Sequence, residues 1–281
     1  MPRIALCCFG ITRSLTRTIR SIRKNAIAPA RAAGVLEIHA HFFDQTRAVA
    51  VTGKTEGRMD VREGQLLSPD HLETEPSGSC LTDWDFEGLK SHGDSWNNDF
   101  ISLRNLVHQL HSLDRVTASA LTSEPDICLF CRPDLRYHDS LAPVLERAQA
   151  AVGSERVFLP RWQSWGGYND RFAVAVGSRA ITAYGQRIRK AAAFCAETDA
   201  PLHAELLVKY ALDAAGIEVE KIPTRASRVR ASGVRVWESF GTDAQAIRHE
   251  QRKAMLWSAL NNSGLKPTVR QVARLLQLRH S

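Results

Sequence analysis

No apolar run in this 281-residue chain approaches the roughly 18–20 residues that cross a bilayer, so no membrane-spanning helix is expected. The opening apolar stretch is too short for a secretory signal. Residues 1–36 contain no acidic side chain, a composition shared with organellar transit peptides. Ile4–Phe9 nevertheless reads as a strand running into Gly10 and a helix, and a cytoplasmic protein is expected. Cysteine is sparse, at six residues. Cys128 and Cys131 have no second pair at zinc spacing, and positions three apart on a strand point to opposite faces, so buried reduced thiols are expected rather than a metal centre. Neither a phosphate-binding P-loop nor a dinucleotide fingerprint is present.

At 44% hydrophobic and 24% charged residues, the composition is that of an ordinary globular protein, not a disordered one. The net charge of +7 sits at one end: residues 221–281 hold twelve Lys or Arg against three Asp or Glu. Such a tail suits phosphates, nucleic acid or the inner face of an anionic membrane, with peripheral contact as the membrane mode; a solvated helical face has the same composition.

The hydrophobic pattern alternates strand and helix. Residues 3–9 read as a strand, Gly10–Ser14 as a turn, and Leu15, Ile19, Ile22 and Ala26 recur at helical spacing. A strand from Leu36 to Phe43 ends at Asp44, completing a β-α-β unit and predicting a parallel pair. Residues 51–98 hold ten acids and four bases without sustained periodicity, which predicts an irregular excursion with at most a short helix or hairpin. From about 100 a long helix carries Leu103, Leu106, Val107, Leu110, Leu113 and Val116 on one stripe, with Arg104, His108, His111 and Arg115 elsewhere; its histidines read as surface residues. It leads into the apolar strand at 127–131, which ends in Arg132-Pro133-Asp134. Helix near 139–151, strand at 157–160 and a Trp/Gly loop at 162–171 follow, the loop running into a further strand. Helices at 180–193 and 201–215, a strand at 217–222, the basic run Arg225–Arg230 and helices near 242–261 and 267–278 complete the chain. The reading is an α/β catalytic domain at 1–235 and a basic helical extension at 236–281.

Several short motifs occur in a fixed order: a strand running into Gly-x-x-Arg-Ser, a strand ending Phe-Phe-Asp, a strand ending Arg-Pro-Asp-Leu, then Asn-Asp-Arg-Phe-Ala, a His-Ala-Glu helix and a late Arg-Val-Arg. Over residues 3 to about 232 this order resembles a group of bacterial and algal GT-A-like glycosyltransferases associated with polysaccharide genes. The resemblance implies a Rossmann-like GT-A fold with a mixed, mainly parallel sheet, a nucleotide-sugar donor and a glycan or lipid-linked acceptor. Expelling a nucleoside diphosphate requires positive charge, usually a hard divalent cation such as Mn or Mg on carboxylate oxygens, sometimes Arg or Lys. Asp134 is the expected metal ligand. Arg132 stands where such enzymes have a first carboxylate, which removes one ligand. Gly10, Thr12, Arg13, Ser14, Asp44, Arg104, Arg132, Asp134, Arg228 and Arg230 are the expected donor-binding residues. The Gly10–Ser14 turn opens a helix whose amides favour an anion.

An inverting transfer needs one carboxylate poised as a base. Glu205 is expected there and Asp170 as a hydroxyl binder, and the two roles are interchangeable. Trp162, Trp165, Tyr168 and Asn169 are expected against the acceptor, where the aromatic rings stack on sugar faces. Two other readings stand beside this one. Residues 264–276 have the look of half a helix-turn-helix, which would make the protein a nucleic-acid binder. A catalytically inactive GT-A-like structural protein is the other.

Overall fold

The computed structural model describes residues 1–44, 47–49, 55–58, 60–78, 80–248, 251 and 255. Its centre is a seven-stranded sheet: β1 Arg3–Gly10, β2 Val35–Phe43, β3 His71–Glu75, β4 Ile127–Cys131, β5 Arg156–Pro160, β6 Ala173–Val176 and β7 Glu218–Ile222. The spatial order is β7-β5-β6-β4-β1-β2-β3. Every neighbouring pair is parallel except those of β6, which runs antiparallel to both β4 and β5. This mixed, mainly parallel sheet flanked by helices is consistent with the Rossmann-like GT-A fold expected.

β1 and β4 are apolar without alternation because a central parallel strand is covered on both faces. Ala5, Cys7 and Phe9 pack into one core layer, and Ile4, Leu6 and Cys8 into the other. The first layer is closed by α2 (Ile101–Leu121), α4 (Ser178–Gly185), α5 (Ala191–Thr198) and α6 (Ala204–Ala214). The second is closed by α1 (Leu15–Ile22) and α3 (Ala142–Ala150). α1 continues through a π turn at Arg23–Ile27 into a further helical stretch, Ala28–Ala33. Cys128 and Cys131 lie in opposite layers, and all six cysteines are free and buried.

Two expectations need correction. The stretch read as irregular contributes β3, which extends the sheet beside β2 in parallel. His71-Leu72-Glu73-Thr74-Glu75 carries one apolar side chain, so an edge strand held by backbone pairing left no hydrophobic signal. His111, read as a surface residue, is buried, because Trp84 and Glu75 cover that flank of α2. On β2, His39 and His41 are fully buried under the same helix, with Nδ1 of each against Ser119 and Ser112 respectively. Burial pushes the His41 imidazole down to a pKa of about 4, so the ring is neutral at physiological pH.

The short strand Leu135–Tyr137 pairs antiparallel with Ala226–Arg228, which brings the late basic run under the end of β4. Residues 236–246 pack back onto this body: Val236 N–H donates to Arg228 O, Phe240 meets Trp162 edge-on, and Ala246 is buried. Residues 243–248, 251 and 255 are helical, and the rest of the expected C-terminal helices, including the 264–276 motif, lies outside the described residues.

Candidate active site

A cavity of about 640 Å³ opens at the carboxyl ends of β1 and β4, where an open α/β sheet places its ligands. Pro133 turns the chain at the end of β4, and the corner is tied on two sides. Thr18 Oγ1 donates to Pro133 O at 2.5 Å, and Val229 N–H donates to Asp134 O at 2.8 Å. Ser14 Oγ donates to Val229 O at 2.8 Å, so the first turn, the β4 corner and the late basic run are one hydrogen-bonded unit.

Asp134 is 3% exposed and gripped by two guanidinium groups. Arg13 Nη2 lies 2.6 Å from Oδ2, while Arg132 gives Nε to Oδ1 and Nη2 to Oδ2, both at 3.2 Å. Although burial opposes ionisation, these two charges hold the carboxyl well below its usual range. Arg132 Nη1 donates to Gln109 Oε1 at 2.7 Å, and Gln109 Nε2 donates to Asp170 Oδ2 at 3.2 Å. Arg171 Nη1 completes the chain on Asp170 Oδ1 at 3.2 Å. Burial works against the Asp170 carboxylate too, but Arg171, Arg132 and Arg187 outweigh it and lower its pKa.

Glu205 behaves oppositely. It sits in the first turn of α6, where the helix dipole favours a carboxylate. Burial dominates, the Asp170 charge adds to it, and the Glu205 pKa is pushed up to about 8. His203 Nδ1 stands 3.4 Å from Glu205 Oε2, and its ring stacks on Trp96 with centroids 5.6 Å apart. Arg228 Nε pairs with Glu238 Oε1 at 2.8 Å; burial and the neighbouring Arg171 bring its pKa down to about 10.

The Trp/Gly loop forms the opposite wall. Gln163 and Trp165 hold positive φ angles of 50° and 47°, backbone strain of the kind that gathers at ligand sites. Gly167 lies flat against the backbone of Glu205: a Cβ there would sit 2.1 Å from the Glu205 carbonyl oxygen. Tyr168 N–H donates to that same oxygen at 3.0 Å.

Of the residues expected from sequence, Gly10, Arg13, Arg132, Asp134, Trp165, Asp170, Glu205, Arg228 and Arg230 line the cavity. The others fall elsewhere. Thr12 and Ser14 are buried, and Leu15 N–H at the start of α1 already donates to Glu63 Oε2 at 2.9 Å, so that helix end is capped by the protein's own carboxylate. Asp44 is exposed and uses its N–H on Glu75 O. Arg104 lies over the Phe86 ring. Trp162 is a core residue whose Nε1 donates to Thr224 O at 2.9 Å. Asn169 is buried and donates to Trp162 O, while Tyr168 faces Lys209 and Lys221.

Sequence reasoning missed Gln109, Arg171, His203 and Glu238. Arg171 and His203 stood beside expected residues in the chain and were legible on that ground. Gln109 on a helix face and Glu238 past the expected domain end carried no local signal.

The expected cation on Asp134 does not fit. Both carboxylate oxygens are taken by Arg13 and Arg132, and two guanidinium groups within hydrogen-bond distance would repel a hard cation. Carboxylate–histidine groups that could hold a metal lie elsewhere, at Glu37, His39 and His71 and at His41, Glu75 and His111.

No family model matches this sequence, and no curated protein does. Among solved structures, the apo form of mouse xyloside xylosyltransferase 1 is similar over 79% of this chain and 85% of that one, at 10% identity and a TM-score of 0.41.

Proposed function

We propose that this protein is a glycosyltransferase that moves a sugar from a nucleoside-diphosphate donor to a glycan or polysaccharide acceptor, using guanidinium groups where related chemistry uses a metal. The observation that carries the reading is the charge balance of the cavity. Arg13, Arg132, Arg171, Arg228 and Arg230 face Asp134, Asp170, Glu205 and Glu238. Glu205 is protonated at neutral pH, and the five guanidinium groups of the wall supply positive charge of the kind that a departing diphosphate requires. Arg228 ends the strand that pairs with Leu135–Tyr137, directly after the Arg132-Pro133-Asp134 corner, and Arg230 follows two residues on, so these cations line the same cavity as Arg13 and Arg132. Arg13 and Arg132 are the phosphate-facing pair at β1 and β4.

On the other side, Glu205 is the acceptor-side base and Asp170 a hydroxyl binder. Trp165, held in its strained conformation, offers a ring face to a sugar. The catalytic unit is residues 1–235, completed by Glu238 from the basic extension that follows. Contact of that extension with the inner face of a membrane would bring a lipid-linked acceptor close.

Thermal melting with UDP, GDP or CMP, each with manganese, magnesium or a chelator, tests the proposal. One nucleotide should raise the melting temperature to the same extent with and without chelator, because a ligand bound only by the native state stabilises it. Stabilisation that depends on the metal would reject the arginine-based site. No response to any nucleotide would reject the transferase reading.

A further inference from the structure

Beside the cavity, under α2, three buried polar atoms share one small space. His41 Nε2, Glu75 Oε1 and His111 Nε2 all lie within 4.8 Å of one another, and each lacks a hydrogen-bond partner. His41 Nε2 is 3.6 Å from Glu75 Oε1 and His111 Nε2 is 2.5 Å from it, a close approach without the alignment of a hydrogen bond. Buried polar atoms that face one another unpaired are costly, and a shared cation between them removes the cost.

We propose that His41, Glu75 and His111 bind one divalent ion of the zinc class through the two Nε2 atoms and a carboxylate oxygen, with a fourth position left to water. Two imidazoles and one carboxylate form a borderline donor set that suits zinc, cobalt or nickel better than magnesium or calcium. The three ligands come from β2, β3 and α2, so they are positioned by regular elements.

The surrounding hydrogen bonds supply the tautomer that His41 needs. Ser112 Oγ donates to His41 O at 2.7 Å and accepts from Gly10 N–H at 2.7 Å. Its one hydrogen is therefore committed, so His41 Nδ1, 2.9 Å away, carries the proton and leaves the Nε2 lone pair aimed at the shared space. His111 requires an adjustment. Trp84 Nε1–H donates to its Nδ1 at 2.9 Å, which places the ring proton on Nε2 in the metal-free chain. Loading the ion moves that proton to Nδ1, and the indole must give up its acceptor.

The ion would also brace the cavity wall. The Phe43 ring lies against His41, His108 and His111 at 5.7, 5.1 and 6.0 Å, and Phe43 and His108 line the cavity. This site does not depend on the activity proposed above.

The test uses the full chain, stripped with chelator and titrated with zinc by calorimetry and with cobalt by visible absorption. One equivalent should bind, raise the melting temperature and change tryptophan fluorescence, the fluorescence change being lost in Trp84→Phe while binding is kept. Glu75→Gln, His41→Gln and His111→Gln should each weaken the ion by at least about tenfold. His71→Gln, in the neighbouring Glu37–His39–His71 group, should leave it unchanged. If either histidine variant fails to fold, Glu75→Gln decides, since that side chain is partly exposed and its replacement isosteric. The proposal is overturned if no equimolar ion binds, if all three ligand variants still bind it through adventitious surface histidines, or if only His71→Gln loses it.

Discussion

Glu205→Gln should lower glycosyl transfer by about 100- to 10,000-fold, the usual contribution of a positioned base, while producing a more stable protein. Both effects follow from the same carboxyl. A pKa near 8 means that the ionised base forms only as the pH rises, so wild-type kcat/KM should climb about tenfold per pH unit below pH 8 and level off above it. The Gln variant should lose that limb. Stability moves the other way. The folded pKa lies above the unfolded value near 4.3, so between about pH 4.5 and 8 the native state holds a proton that the unfolded chain has released, and stability falls as pH rises through that window. Glutamine removes the penalty, and Glu205→Gln should gain on the order of 4 kcal/mol at pH 8. Activity assays and denaturant melts across pH separate the two effects. A Gln variant that keeps the wild-type pH limb would falsify the assignment and transfer the base role to Asp170.

Asp134→Ala should be the most destabilising single change in the cavity. It leaves Arg13 and Arg132 without the carboxylate they share, and stripping one partner from a buried ion pair costs about 3–5 kcal/mol. For a domain of this size that is a fall of roughly 10 °C in melting temperature. The sign of the pH dependence is the reverse of that at Glu205. Asp134 has its pKa lowered in the folded state, so its contribution is complete above the unfolded pKa of about 3.9 and is lost as pH falls from there toward the folded value. Asp134→Asn should lack this acid-side loss. The nucleotide response carries the functional information. If Asp134 restrains two phosphate-binding guanidinium groups, the Ala variant should bind the nucleoside diphosphate at least as tightly as the wild type and recover part of its lost melting temperature from it. A variant that folds but no longer binds nucleotide would place Asp134 itself on the donor.

Much of the scaffold was legible because burial on both faces writes itself as uninterrupted apolar runs, as in Ile4–Phe9 and Ile127–Cys131. β3 was not, since its place depends on backbone pairing at an edge and its side chains are polar. The cavity divided in the same way. Arg132 and Asp134 follow a strand end, Glu205 stands at a helix start and Asp170 in a Trp/Gly loop, positions that mark themselves in sequence. Gln109 matters only because the fold sets it between Arg132 and Asp170, 23 and 61 residues away. The misplacements have one cause as well: Trp162 and Asn169 belong to a loop rich in ligand-like residue types, some of which the loop uses on itself. Thr12 and Ser14 were read as facing a phosphate, yet Glu63, from the stretch expected to be irregular, caps their helix.

The contact between Gly167 and Glu205 has a further consequence. The backbone of the loop proposed to shape the acceptor wall touches the backbone of the residue proposed as base, with no space for even a methyl group between them. On the proposed assignment, selectivity and turnover would share this one contact. A lineage that reshaped this loop through its main chain would shift the base with it, so new acceptors are more safely accommodated by exchanging the side chains of Gln163 and Trp165, leaving the glycine untouched.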